Sequence, residues 1–97
     1  MNIAQTILEQ LGGRKFLVMT GAKDLVNTGN GLQMRLPRGT TNKATKFIVT
    51  LDADDTYTVS FGKIRKLEYK EISSFSGVYC DMLTDIFTSE TGFFTSL

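Results

Sequence analysis

Ile3, Ile7, Leu8 and Leu11 recur at four, one and three residues, which gathers them on one stripe of a helix over residues 2–11. Asn2 suits its N-cap, and Gly12-Gly13 marks its stop. A helix this short is marginal in water, so the stripe must dock on a partner element. The period then changes. Phe16-Leu17-Val18-Met19 is a short apolar run between Gly13 and Gly21 and reads as a strand. Residues 21–31, with Gly21, Asn27, Gly29, Asn30 and Gly31, read as a loop. Leu32, Met34 and Leu36 alternate with Gln33 and Arg35 as in a half-buried strand, and Pro37 ends it. Residues 38–45 are an exposed connection.

Phe47, Val49 and Leu51 form the next strand, and Tyr57, Val59 and Phe61 the one after it. Asp52-Ala53-Asp54-Asp55 is the turn between them, which makes this the clearest hairpin in the chain. Gly62 interrupts the alternation as a bulge or tight turn would. Ile64–Ile72 resumes as a strand, with Leu67 and Tyr69 on one face and Lys66, Glu68 and Lys70 on the other. Val78, Tyr79, Met82, Leu83, Ile86 and Phe87 predict a final helix lying on a core, capped by Ser74 or Ser76 and closed by Gly92. The apolar tail Phe93-Phe94-Thr95-Ser96-Leu97 is expected to pack back.

The order is helix, about five strands, helix. Short connections favour antiparallel neighbours. The expected fold is a single α+β domain over residues 1–97, a two-layer structure with both terminal helices on one face of the sheet. The other face is then wet, lined by Arg35, Thr50, Thr58, Ser60 and Lys66. Tyr57, Phe61 and Tyr69 share the phase of Val59 and Leu67 and should point into the core.

Ninety-seven residues suit one small domain, and a composition of 41% hydrophobic and 22% charged residues is that of an ordinary globular chain. No stretch nears the length of a membrane span, and the N-terminus lacks the basic and apolar regions of a signal peptide. One cysteine rules out an internal disulfide, and a reducing cytoplasm is the expected location.

Composition narrows the chemistry further. Histidine is absent, so the commonest acid–base and metal-ligating side chain is missing. Cys80 has no histidine partner and falls within the helical pattern, where a small packing residue suffices. Asp52, Asp54 and Asp55 form the one acidic cluster, but Thr56 stands where a calcium loop of the EF-hand type needs glycine. Turn formation accounts for these aspartates, and a hydrolase built on them is the remotest reading. Gly12-Gly13-Arg14-Lys15 lacks the spacing of a phosphate-binding loop, and a helix end followed by a strand would present carbonyls there. Gly29-Asn30-Gly31 likewise reads as turn chemistry. No enzyme activity, cofactor, metal or small-molecule substrate is expected.

Charge placement is more informative than the net charge of +1. Between Gln33 and Lys70 eight basic residues face four acidic ones, whereas Glu71, Asp81, Asp85 and Glu90 have no basic counterpart up to Leu97. Arg35, Arg38, Lys43, Lys46, Lys63, Arg65 and Lys66 could therefore meet nucleic-acid phosphates. The plainer reading makes them the polar half of half-buried strands, with lysines guarding sheet edges. Rings buried in the core leave no stacking platform, so any nucleic-acid contact would be to the backbone.

The segments Ile7–Gly13 (ILEQLGG), Phe16–Lys23 (FLVMTGAK) and Ile86–Leu97 (IFTSETGFFTSL) resemble small proteins encoded by bacteriophages and integrated mobile elements. The similarity lies at both ends, with a looser match between them. It implies a bacterial cytoplasm and phage or mobile-element biology, and carries over no functional residue. The expected function is thus that of a small binding protein, with nucleic-acid backbone as first candidate partner. The alternative is a protein-interaction module, a homodimer or an inhibitor of a host factor, using a sheet edge or the acidic helix at Asp81 and Asp85.

Overall fold

The computed structural model describes residues 3–93; Asn2 and the tail beyond Phe93 lie outside them. Helices α1 (Ile3–Leu11) and α2 (Arg14–Thr20) precede strands β1 (Lys23–Asn27), β2 (Gly31–Arg35), β3 (Lys46–Leu51), β4 (Tyr57–Arg65) and β5 (Glu68–Val78). A 3-10 turn at Cys80–Met82 leads into helix α3 (Leu83–Thr91). The strands form one antiparallel sheet in sequential order, β1 to β5. The α+β architecture is therefore the one expected, with the helices at the two ends of the described chain.

Register follows the hydrophobic alternation. Met34 stands opposite Phe47 and Phe47 opposite Phe61, while Leu32, Val49 and Val59 form the neighbouring row. All six are buried. The helices cover this face with Ile7 and Leu11 from α1, Phe16 from α2, and Leu83 and Phe87 from α3. The Phe87 ring lies 5.0 Å from both Phe16 and Phe47, edge-on to each, and Phe47 stacks on Phe61 at 5.0 Å. The Tyr57 hydroxyl donates to Gln10 Oε1 at 2.7 Å, which ties α1 to β4. Gly92 closes α3 in the left-handed conformation (φ 77°), and a Cβ there would strike Thr41 Oγ1. The Thr41 N–H donates to the Thr91 carbonyl, so this end of α3 holds the loop before β3.

Several expectations are corrected. Phe16–Met19 is helical, because burial there recurs at four residues, Phe16 and Thr20, while Val18 between them is 73% exposed. A four-residue apolar run cannot separate strand from helix by period. Gly13 therefore opens α2, and helix-start amides rather than carbonyls follow the glycine pair. Residues 21–31 are not all loop, since Lys23–Asn27 is an edge strand with none of its residues buried, defined by its bonds to β2. Such a strand needs no apolar face. The connection 38–45 is not wholly exposed, as Thr40 and Ala44 are buried and joined by a hydrogen bond from Thr40 Oγ1 to the Ala44 carbonyl.

The region after Gly62 also differs. The irregularity beside Gly62 is a bulge of the neighbouring strand: Ile72 of β5 is the extra residue opposite the Phe61–Gly62 step, while Gly62 itself stays in register with β3, β4 runs on to Arg65 and the chain turns at Lys66-Leu67. Leu67 is 98% exposed at that turn, and Tyr69 lies on the open face rather than in the core. The final helix starts later than its pattern implied. Val78 ends β5, Ser74 and Ser76 lie within that strand and cap nothing, Tyr79 and Met82 are exposed, and Cys80 is exposed rather than packed. Truncating Phe87→Ala should cost about 3–5 kcal/mol, read from urea unfolding. A loss below about 1 kcal/mol would contradict its place at the junction of the layers.

Candidate nucleic-acid interface

The open face of the sheet carries the alternate residues of the same strands. Its row nearest the β2 C-terminus runs Lys23, Arg35, Lys46, Gly62 and Glu71 across all five strands. Lys23 stands directly opposite Arg35, and Arg35 directly opposite Lys46. Like charges in that position repel. One carboxylate relieves them in part: Asp24, set at φ 56° where β1 is irregular, brings Oδ2 to 3.8 Å from Arg35 Nη1. Both side chains are exposed, so this pair contributes little.

These residues border a groove of about 710 Å³. Lys23, Arg35, Arg38 and Lys46 supply its cations, Asp24 its carboxylate, and Leu36, Pro37 and Ile64 apolar lining. Arg38 comes from the connection after β2, where Leu36 is buried and anchors the turn.

Of the seven basic candidates, Arg35, Arg38 and Lys46 thus meet in one groove. Lys43 lies in the same connecting segment at φ 63° and is exposed. Lys63, Arg65 and Lys66 sit on the β4–β5 hairpin beyond Gly62, where β4 pairs with β5 and no longer with β3. By strand alternation Lys63 and Arg65 take the face opposite Ile64, and Lys66 occupies the turn. Lys63 stands directly opposite Lys70, a third like-charge pair at this end of the sheet. Lys23 was missed because its segment looked like loop. Its signal was present in Lys-Asp-Leu-Val-Asn followed by Thr-Gly-Asn-Gly, a strand and turn leading into Leu32.

The acidic residues singled out in the sequence lie elsewhere. Asp52, Asp54 and Asp55 occupy the β3–β4 turn, at the other end of those strands. Thr58 Oγ1 donates to Asp52 Oδ2 at 2.6 Å, and the Thr56 hydroxyl and N–H both donate to Asp54 Oδ1. The Thr56 hydroxyl above all, and then its N–H, hold the Asp54 carboxyl below its usual range. Among the described residues there is no group of three or more metal-ligating side chains. Asp81 is exposed in the 3-10 turn and Asp85 in the first turn of α3. Asp85 borders a shallow depression with Phe75, Ile86 and Glu90.

On the open face the Tyr69 hydroxyl lies 2.9 Å from Ser60 Oγ, which donates to Glu71 Oε1 at 3.1 Å. The phenol end of Tyr69 occupies the space that a Cβ of Gly62 would take, so glycine is required there for the ring to lie down. No helix of the described residues is long and apolar enough to cross a membrane. No protein-family model matches the chain, and no curated protein or solved structure matches it.

Replacing Lys46→Thr removes one member of the cation row and should stabilise the protein by about 0.2–1 kcal/mol at low salt. Urea midpoints should converge with wild type in ~1 M salt, and a destabilised variant at low salt would refute the repulsion. A second expectation concerns acid. A depressed carboxyl stabilises the fold above its ordinary range, and that support is lost as pH falls through its lowered pKa. Thr56→Val should therefore move the Asp54 titration, followed by NMR, back up toward the ordinary value.

Proposed function

We propose that the protein is a non-enzymatic module that binds nucleic-acid backbone through the basic end of its sheet. The observation that carries this reading is the repeated placement of cations as direct cross-strand neighbours: Lys23 with Arg35, Arg35 with Lys46, and Lys63 with Lys70. Each such pair costs stability in the free protein. A phosphate chain laid along the groove turns the repulsion of the first two pairs into attraction and releases its own counterions, while Lys63 and Lys70 lie on the other face of the hairpin beside it. Arg38 adds a fourth cation at the groove wall, and Arg35 and Arg38 can each grip a phosphate with two parallel hydrogen bonds. Contacts of this kind position the nucleic acid without reading its sequence. An accessory role of the kind found among phage and mobile-element proteins is consistent with sequence-blind binding.

Binding of a labelled duplex, followed by fluorescence anisotropy, should weaken steeply with salt. Four groove contacts give a log–log slope of about −3 to −4. Arg35→Glu combined with Lys46→Glu should cut affinity roughly a hundredfold and flatten the slope by about two. Neutralising Asp81 and Asp85 to asparagine should leave binding nearly unchanged. The reading is overturned by a wild-type protein that binds neither duplex nor single strand at low salt, or whose binding ignores salt.

A further inference from the structure

We infer that the β4–β5 hairpin is an arm that enters the minor groove of duplex DNA, with Leu67 as an apolar wedge against the base stack. This rests on the backbone-binding reading and adds the form of nucleic acid bound and the deformation imposed on it.

Gly62 of β4 is the last residue to pair with β3, opposite Lys46. From Lys63 to Lys70 the ladder continues between β4 and β5, through Lys63–Lys70, Ile64–Tyr69 and Arg65–Glu68. The hairpin end is thus a two-stranded ribbon reaching past its neighbour, next to the cationic groove that Ile64 borders. Two-stranded ribbons are slender enough to enter DNA grooves.

The tip has a composition that folding does not explain. Lys66 and Leu67 both take positive φ, 52° and 66°, as the central residues of a tight hairpin turn. Glycine or asparagine adopts that geometry at lower cost. Leu67 is 98% exposed, so no packing offsets the strain. Behind it Ile64 and Tyr69, paired across the ribbon, are 51% and 40% exposed and extend the apolar surface. Around this ridge stand Lys63, Arg65, Lys66 and Lys70, with Glu68 as the one acidic residue of the arm.

Cations flanking an apolar tip match what a DNA groove offers, phosphates along its walls and stacked bases at its floor. Apolar side chains inserted from the minor-groove side unstack a base step and kink the duplex. The adjacent groove of Lys23, Arg35, Arg38 and Lys46 would hold phosphates of the backbone beside the point of entry.

The test uses the full chain and a duplex about two turns long, labelled at both ends for energy transfer. Wild type should shorten the end-to-end distance, with a bend of roughly 20–90°. Leu67→Gly should keep or raise the melting temperature, since glycine suits the turn, yet lose the bend while retaining affinity within about tenfold of wild type. Arg65→Glu with Lys66→Glu should lose both bend and affinity. A wild-type complex that leaves DNA straight, or a Leu67→Gly complex that bends it fully, overturns the wedge while leaving backbone binding intact. So does Leu67-dependent binding to phosphatidylserine vesicles combined with an unbent duplex. A wild-type protein that binds no nucleic acid removes both readings together.

Discussion

Phe87 is the residue through which two layers become one fold. It enters from α3, meets Phe16 of α2 on one side and Phe47 of β3 on another, and through Phe47 it reaches Phe61. None of these helices is long enough to persist by itself, since α1 and α3 have nine residues each and α2 has seven. Their stability comes from the apolar face they share with the sheet. The sheet in turn needs a lid, because a five-stranded layer with Met34, Phe47, Val49, Val59 and Phe61 on one side would otherwise expose a continuous hydrophobic surface.

That same burial dictates the charge pattern on the reverse side. Side chains alternate along a strand, so the register that aligns Met34, Phe47 and Phe61 inward also aligns Arg35, Lys46 and Gly62 outward. A slip of one residue would drive the cations into the core. Arg35 and Lys46 are therefore placed by the same register as the core and cannot relax by sliding their strands past one another, whereas Lys23 is held only by the pairing of the exposed edge strand with β2. Side-chain motion, Asp24 and counterions are what moderate the repulsion. A surface that is held under such repulsion is prepared for polyanions, and that is the physical basis of the function proposed for it.

Much of the architecture was legible along the chain. The alternation from Phe47 to Leu51 and from Tyr57 to Phe61, with an aspartate-rich turn between, predicted the central hairpin, and the structure pairs Phe47 with Phe61 and Leu51 with Tyr57. Gly92 as a helix stop was likewise readable, because glycine marks positions where the backbone departs from regularity. Less was legible where local preference is weak. Phe16–Met19 has the composition of a strand and became a helix because Phe16 is drawn onto Phe87. Tyr69 and Leu67 kept the alternation of a core-facing pair, but the bulge shifts the phase and the turn falls on Leu67 itself.

The candidate interface divides the same way. Sequence by itself determined that basic residues concentrate between Arg35 and Lys70, that acidic ones dominate after them, and that the chain has no histidine. These are properties of composition and order, and they need no fold. Only the tertiary structure decided that Lys23 joins Arg35 and Lys46 in one row, that Arg38 closes the groove beside them, and that Lys63, Arg65 and Lys66 stand on a separate arm. The reason is that convergence depends on which strands are neighbours and in what register. Hydrogen bonding between segments far apart in the chain sets both, and no local pattern encodes it.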